Sequence, residues 1–597
     1  MVMVMSQEQE RNKTLVLVFP PLTMPTSPPL GAAMLKGYIE RELPEWSVKV
    51  LDLNIWAFDF LFEKVAQGGF LPEEKFPEGL FSEITLKRAA EVFKGKYHDE
   101  FYNRPDLYGH YADFFLRFTE FFTQQLAGMA EYCDQNNQIP YFFERCLEII
   151  MNEKPDCIGI SMIFSQQLPI GKTIGRLLRQ NYKKKVLFGG SIFSDHAASF
   201  IKMYPEAADV IVAGEGEDAL KQLLQELDST EIKTPGAVYL KDGEVVKNEG
   251  SFRKDIDSFG APDFSDCNLE KYYSPEPIIP ILLSRGCYWR RCTFCVHYRS
   301  AGLSYRMHSM DFVIGMIKSF VDKGIRNFAF IDEMISAKHF EILAKAIKEA
   351  ELNIAYYALA KPVKQFTPEL LKMMAESGCK YMLWGLESGT QRILDLMDKG
   401  TKIPEVSQLL KDAHDAGIIN HVYMICGFPT ETEYEYSQTL KFLDDHKDYI
   451  YAVHRSVFSL EREAPIFDMS EKFGIKRKWL IREDGMGGRW GYECENGMTA
   501  IEAHKAFMNS LPFLRNFNPF AQRLGNFRDH ALFIYDKSRA LLRPESRNIP
   551  KIIYPPPPEE TLIITNGLIS DSSGNGNKEK TKKNYALPVV SSTDCGN

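Results

Sequence analysis

The chain has 597 residues, which is enough for two or three domains rather than one. Its net charge is −9, so no overall basic field favours nucleic acid as a partner. The 11 cysteines are mostly dispersed, which excludes a disulfide framework and is typical of a reducing compartment. Because no apolar stretch approaches about 18 residues and the start lacks a signal-peptide pattern, we expect a cytoplasmic protein without a membrane span.

After a flexible start (1–12), the first predicted domain occupies residues 13–250 and alternates short apolar strands with helices. Such runs are typical of strands that are buried on both faces of a parallel sheet. The predicted strands are 14–19, 48–53, 156–161, 185–188 and 209–212. This alternation predicts a Rossmann-like α/β sheet. A segment rich in Phe and Tyr, at about 56–140, interrupts the pattern and is interpreted as a helical insertion.

A linker (251–277) leads to a second predicted domain at 278–465. It contains six strand candidates separated by helices: 279–284, 328–331, 354–359, 381–385, 421–426 and 453–460. Six βα units in series predict a partial (β/α)6 barrel, with functional residues at the carboxyl ends of its strands. A small, aromatic-rich C-terminal domain (466–550) is the candidate substrate lid, and the Pro-rich tail (551–597) is predicted to be disordered.

Three cysteines follow the first strand of the predicted barrel, in a loop that Gly286 opens. They are Cys287, Cys292 and Cys295. Three thiolates within nine residues are able to bind three irons of a [4Fe–4S] cube and to leave the fourth iron open. A zinc site is the alternative, with His297 as the fourth ligand of a closed tetrahedron.

Three further segments follow later strands of the same predicted barrel. They are Ile331-Asp332-Glu333, the run 385–391 (GLESGTQ) and the run 427–432 (GFPTET). Each of them alone also fits an ordinary βα turn with a helix cap. Together with the cysteine loop they form four motifs, each at a strand end.

In residue types and in order, these motifs resemble those of the radical S-adenosylmethionine (SAM) superfamily. Two departures are visible: four residues instead of three separate Cys287 from Cys292, and Thr430 stands where Gly is commoner. The resemblance implies that the three cysteines bind a [4Fe–4S] cluster, that His297 is not a ligand, and that SAM takes the fourth iron. The implied SAM contacts are Phe294, Asp332, Glu333, Glu387, Ser388 and Gly427.

The proline and glycine turns of the first domain resemble the cobalamin-binding domain that precedes the barrel in one large, class B methyltransferase-like subfamily. The implied cobalamin contacts are Pro21, Leu30, Gly31, Ser161, Gly189, Gly190, Ser191, Gly214 and Glu215. A nucleotide-binding or empty Rossmann-like domain would show similar turns. The motif Asp-x-His-x-x-Gly is absent from the first predicted domain, so we expect no protein histidine below the cobalt.

The resemblance implies a cobalamin-dependent radical SAM methyltransferase. A 5′-deoxyadenosyl radical would abstract a hydrogen, and methylcobalamin would then methylate an unactivated carbon or phosphorus of a small-molecule or peptide substrate. The electron would come from an external donor of the flavodoxin or ferredoxin type. The alternatives are a radical cyclase or rearrangement enzyme without net methylation, and a non-catalytic cobalamin or iron–sulfur sensor. No catalytic base is assigned, because polar residues near strand ends, such as His421 and His454, are more often structural.

Overall fold

The computed structural model describes residues 13–538, except 68, 71–82, 95–101, 103, 137, 230, 300–301, 303 and 518–525. The predicted flexible start (1–12) and the predicted disordered tail (551–597) lie outside the described residues. No helix among the described residues is long and apolar enough to cross a membrane.

The first sheet has seven strands in the order β2-β1-β3-β4-β5-β6-β7. The strands are β1 (Lys13–Phe19), β2 (Trp46–Asp52), β3 (Cys157–Ser161), β4 (Lys185–Gly189), β5 (Val210–Val212), β6 (Ala237–Lys241) and β7 (Glu244–Lys247). The first five pair in parallel, in the order of a doubly wound fold. β1 reads as an apolar run because it is buried from Leu15 to its end, so the predicted α/β class is confirmed.

Two antiparallel strands, β6 and β7, extend this sheet and were not predicted. Asp242 and Gly243 connect them with φ of +53° and +84°. Left-handed conformations at both positions of a two-residue turn are typical of a type I′ hairpin, for which Asp-Gly is a favoured pair. The signal was therefore present in the sequence.

Helices cover this sheet and form the insertion: Leu30–Glu42, Leu53–Gln67, Glu83–Phe93, Pro105–Asn136, Tyr141–Asn152, Leu168–Tyr182, Ala197–Met203 and Gly216–Gln225. The insertion is helical, as expected, and its aromatic side chains bury one another. Phe58 stacks on Phe115 with ring centroids 5.2 Å apart, and Phe62 stacks on Phe118 at 4.5 Å. The many aromatic side chains of the insertion therefore form part of the hydrophobic core.

The second sheet contains six parallel strands in chain order, which is the topology of the predicted partial barrel. The strands of this region are β8 (Ile278–Ile281), β9 (Ser284–Arg285), β10 (Arg306–Met307), β11 (Asn327–Phe330), β12 (Ala355–Ala360), β13 (Cys379–Glu387), β14 (Ile419–Cys426) and β15 (Ile450–Val457). The helices are Met310–Val321, Ala337–Glu349, Pro368–Glu376, Gln391–Leu396, Ile403–Asp415 and Glu433–Asp445. β9 and β10 form a separate antiparallel pair beside the cysteine loop.

Beyond the barrel, the chain forms a hairpin and short helices. They are Pro465–Asp468, β16 (Ile475–Arg482), β17 (Arg489–Cys494), Ala500–Asn509, Leu511–Phe517 and Ala531–Ser538. The C-terminal segment, defined as residues 526–538, packs into the core of the barrel. Its Phe527 and Ile534 are buried in the same core as Tyr357 and Tyr381 from the inner face of the barrel. That residues 466–550 form a lid over the substrate remains a prediction.

Truncation of Ile534 tests this packing. Ile534→Ala is expected to lower the free energy of unfolding by about 2–4 kcal/mol, because it removes a fully buried side chain. Ile501→Ala is the matched control; this side chain is 83% exposed, and its truncation is expected to change stability by less than about 0.5 kcal/mol. Denaturant unfolding measures both, and equal effects would contradict the position of the C-terminal segment.

Candidate functional site

A cavity of about 1110 Å³ lies where the carboxyl ends of the two parallel sheets face each other. Gly31 and Ser161 line it from the first domain, and Pro280 and Ile331 line it from the barrel. Arg528 of the C-terminal segment completes the wall. Ligands of parallel α/β folds bind at this end of the strands, so the cavity is the candidate functional site.

The structure brings together eight of the nine predicted cobalamin contacts at the cavity wall. They are Leu30, Gly31, Ser161, Gly189, Gly190, Ser191, Gly214 and Glu215. Pro21 is not part of the lining, although its neighbours Leu22 and Thr23 are. These contacts with cobalamin remain a prediction.

Glycines leave this wall open to a large cofactor. A Cβ atom added to Gly31 or Gly189 would meet no atom within 4 Å, so the missing side chains are space that belongs to the cavity. Gly190 differs: its φ is +109°, and a Cβ there would lie 1.9 Å from the carbonyl oxygen of Met162. The backbone therefore requires that glycine. This concave wall of small residues fits a broad, flat group such as a corrin.

A buried network of charged residues joins the two sheets at the cavity wall. The Arg285 guanidinium donates to Glu215 at 2.9 Å and to Glu217 at 3.1 Å, with a second, shorter bond to Glu217. Arg306 donates to both oxygens of Glu215 at 2.7 and 2.8 Å. All four side chains are at most 11% exposed. Arg285 is the last residue of β9, so the network ties the cysteine loop to the turn of the first domain that carries Glu215 and Glu217.

The charges of this network depend on one another. Burial alone would raise the pKa of Glu217, but Arg285 outweighs burial and holds that pKa below its usual value. Arg285 in turn is held protonated by the two carboxylates. Removing one partner of a buried ion pair leaves an uncompensated charge, whereas replacing the pair with apolar groups is often tolerated.

Arg285→Met is therefore expected to lower the free energy of unfolding by about 3–5 kcal/mol at pH 7, as measured by denaturant unfolding. The double variant Arg285→Met/Glu217→Leu is expected to recover much of that loss. Because the pKa of Glu217 is lowered in the fold, its stabilisation is present above its ordinary pKa of 4.5 and is lost as pH falls through the folded value. In the double variant, the free energy of unfolding should fall less steeply as the pH is lowered. An unchanged decrease at acidic pH would contradict the pairing of Glu217 with Arg285.

The cysteine loop is held by backbone bonds from the opposite side of the barrel mouth. The amide of Thr293 donates to the carbonyl of Met397 at 3.0 Å, and the amide of Ile466 donates to the carbonyl of Thr293 at 2.8 Å. Gly286 opens the loop with φ of +85°, and a Cβ there would lie 3.0 Å from the carbonyl of Ser304. Glycine at this position is therefore favoured by both φ and space.

The structure gives the longer first cysteine spacing a physical role. Within it, Arg290 adopts a left-handed conformation with φ of +49°, and Trp289 reaches across to the segment after the helix Gln391–Leu396. The indole nitrogen of Trp289 donates to the carbonyl of Asp398 at 2.7 Å. A Cβ on Gly400 would lie 2.3 Å from the indole ring, so this glycine makes room for it. The extra residue therefore belongs to a loop braced by Trp289.

Two ammonium groups lie beside the cysteine loop. Lys361 is 3.0 Å from the ring centroid of Trp289, and burial lowers its pKa to about 8. Lys399 is 2.7 Å from the carboxylate of Glu387; burial alone would lower the pKa of Lys399, but that carboxylate raises it. Burial raises the pKa of Cys295 to about 12. Loading a cluster must therefore remove a proton from a thiol that resists losing it.

The donor set of the cysteine loop is three thiols, which suits an iron–sulfur cluster with one open iron. Zinc needs its ligands around one ion, whereas each thiolate of a cube binds its own iron. That Cys287, Cys292 and Cys295 are the ligands, and that His297 is not, remains a prediction.

Gly400→Ala tests the brace of the cysteine loop. The added methyl group would displace Trp289 and is expected to reduce the iron bound after reconstitution by more than half. Gly324→Ala is the matched control: its φ is also positive, at +88°, but no atom lies within 4 Å of the added Cβ. It should cost about 1 kcal/mol of backbone strain without loss of iron. Iron and sulfide analysis of the two folded variants decides; equal iron contents would show that the brace does not hold the loop.

The predicted SAM contacts lie in several different environments. Glu333 lines the cavity, and Glu387 is held by Lys399 at the carboxyl end of β13. Asp332 is fully buried, and its carboxylate accepts hydrogen bonds from the backbone amides of Leu283 and Ser284 and from the hydroxyl of Ser284. Its position therefore does not support a SAM contact.

The remaining three predicted contacts also have local structural partners. The hydroxyl of Ser388 lies 3.3 Å from that of Thr439, and Phe294 packs against a buried hydrophobic cluster. The amide of Gly427 donates to Glu431 at 2.6 Å. Whether these residues reach SAM remains a prediction.

Sequence reasoning missed the cavity residues Tyr357, Tyr423, Asn526, Arg528 and Asp529. Tyr357 and Tyr423 lie on inward-facing positions of β12 and β14, and strand alternation was the available signal. No local pattern marks Arg528 or Asp529, because only tertiary packing brings the C-terminal segment into the barrel.

Family models match both halves of the cavity. The model of the Radical SAM superfamily matches residues 281–443, and the model of the B12 binding domain matches residues 124–224. An uncharacterized methyltransferase of Pyrococcus horikoshii is 28% identical, over 50% of this chain and 66% of its own length. The cytidylyl-2-hydroxyethylphosphonate methyltransferase of Streptomyces wedmorensis is also 28% identical, over 46% of this chain and 58% of its own length. The matched part of the chain thus spans less than two thirds of either relative.

A solved structure has the same fold. The cobalamin-dependent S-adenosylmethionine radical enzyme OxsB, with aqua-cobalamin and S-adenosylmethionine bound, matches with a TM-score of 0.58 and 16% identity, over 85% of this chain and 67% of OxsB. The chain therefore contains a B12-binding domain followed by a radical SAM domain, and it shares the overall fold of OxsB. Its cofactors are a [4Fe–4S] cluster, SAM and cobalamin.

Proposed function

We propose that this enzyme transfers a methyl group, carried by cobalamin, to an unactivated carbon or phosphorus of its substrate. One observation carries the proposal: a single cavity is lined by the turns of the B12-binding sheet and by the inner face of the radical SAM barrel. Matches to two methyltransferases support this reaction class. When bound, the three cofactors supply the methyl group, the electron relay and the radical initiator.

In this proposal, the protein holds the reactants and excludes water. Cys287, Cys292 and Cys295 hold the cluster at the barrel mouth, and Gly31 and Gly189 leave room for the corrin. The Arg285 network keeps the two cofactor sites at a constant separation across the cavity. An external protein of the flavodoxin or ferredoxin type supplies the electron. Closely confined reactants suffer fewer side reactions with solvent.

Anaerobic reconstitution with iron, sulfide, cobalamin, SAM and a reductant tests this function. We expect both S-adenosylhomocysteine, which reports methyl donation by SAM, and 5′-deoxyadenosine, which reports radical initiation. Gly31→Leu is expected to weaken cobalamin binding about tenfold or more and to abolish S-adenosylhomocysteine, while deoxyadenosine persists. Gly128→Leu is the matched control, because Gly128 also has an open Cβ position but lies away from the cavity lining.

The two products also separate the alternatives. Deoxyadenosine without S-adenosylhomocysteine from the loaded enzyme would contradict methyl transfer and favour a cyclase or rearrangement. If neither product forms in a protein with full cluster and cobalamin content, the enzyme proposal fails and the sensor hypothesis gains support.

A further inference from the structure

The inner face of the barrel carries a polar group of residues below the cavity, which we call the polar floor. It consists of His421 and Tyr423 on β14, His454 on β15, and Arg528 of the C-terminal segment. Tyr423 pairs directly with His454 between the strands, and its ring stacks on that of His421 with centroids 5.2 Å apart. Tyr423 and Arg528 line the cavity, so the floor is reached from it.

Arg528 brings a positive charge to the floor. Its guanidinium hydrogen-bonds to the neutral phenol of Tyr423. The adjacent carboxylate of Asp529 accepts from the hydroxyls of Tyr357 and Thr26, each at 2.5 Å, and its charge also favours the protonated form of Arg528. The other cation of the lining, Arg285, is neutralised by Glu215 and Glu217. Within the described lining, Arg528 is thus the cation that a ligand is able to approach.

The two histidines add unfilled hydrogen-bonding capacity. The Nε2 atoms of His421 and His454 are buried and have no hydrogen-bond partner in the structure. His421 is fully buried, and its Nδ1 is paired with the hydroxyl of Tyr381. When Tyr381 donates this bond, the proton of His421 lies on Nε2, which is then a buried donor without a partner. An unsatisfied buried donor beside a cation costs free energy that an incoming acceptor would recover.

We propose that the polar floor is an anion subsite for the substrate, in which Arg528 binds a carboxylate or phosphoryl group, with Tyr423, His421 and His454 around it. This inference rests on the proposed function only in taking the cavity as the substrate cavity. A guanidinium offers paired donors that match either oxyanion, which a point charge does not. The subsite would anchor one end of the substrate inside the barrel and leave its other end toward the cofactors.

Calorimetric titration of the full chain, both cobalamin-loaded and cobalamin-free and in each case without SAM, tests the subsite. Sodium phosphate and sodium acetate are titrated separately, with chloride at the same ionic strength as reference. We expect one of the two oxyanions to bind more tightly than chloride, and its identity tells a phosphoryl from a carboxylate substrate. Arg528→Gln should weaken that binding about tenfold or more, because a charge-assisted hydrogen bond is lost. Arg477→Gln, an exposed arginine of β16, should bind as the wild type does.

Three outcomes would overturn the proposal: neither oxyanion binds better than chloride, Arg528→Gln binds as tightly as the wild type, or cobalamin abolishes the binding seen in the cobalamin-free chain. The last outcome would assign the anion to the corrin side of the cavity. If Arg528→Gln does not fold, Arg528→Lys is titrated instead. An oxyanion affinity of this variant equal to that of the wild type would contradict recognition by the guanidinium.

The stability of the ligand-free variant is a second readout. A purely structural Arg528 would make Arg528→Gln less stable, whereas removal of a charge held for a ligand should leave the unfolding temperature unchanged or raised. No SAM or reductant is present in these measurements. Loss of anion binding would therefore leave the methyl-transfer proposal standing, and failure of methyl transfer would leave the subsite intact.

Discussion

The ion pair of Arg285 with Glu217, supported by Glu215 and Arg306, is the contact on which the architecture of the site depends. It joins a turn at the carboxyl edge of one parallel sheet to the strand that precedes the cysteine loop of the other. Buried charges of this kind tolerate little displacement, because separation would leave each of them without compensation in a medium of low polarity. The network therefore holds the two strand-end edges together at one wall of the cavity.

Much of the site is likewise stabilised by contacts between residues that are far apart in the sequence. The cysteine loop is braced by backbone and indole contacts to residues about a hundred positions later in the chain, such as Asp398 and Gly400. The inner face of the barrel is completed by Arg528 and Ile534, which come from near the end of the described chain. Such long-range contacts make the cavity a product of the whole fold, and they make its geometry sensitive to substitutions that touch no cofactor.

Much of the fold was predictable, for identifiable reasons. β1 and β11 are short apolar runs because parallel strands are covered on both faces, and each was predicted to within one or two residues. The hairpin at Asp242 was missed, although its turn signal was present, because its strands are only half-buried and weakly patterned. Asp332 was assigned to SAM from the family resemblance of its segment, and in the structure its carboxylate accepts hydrogen bonds from the amides of Leu283 and Ser284.

By itself, the sequence indicated the class of chemistry, because three clustered cysteines, glycine turns at strand ends and the βα alternation are local patterns. Such patterns can be recognised without knowledge of the tertiary structure. The sequence did not determine which polar side chains meet in the cavity. Arg528 and His421 are about a hundred residues apart, and Arg285 and Glu217 are nearly seventy apart, with no periodicity to link them. Only tertiary packing decided these pairings. Burial of apolar faces brings distant segments together, and the charged side chains that are buried with them then pair because an unpaired buried charge is costly.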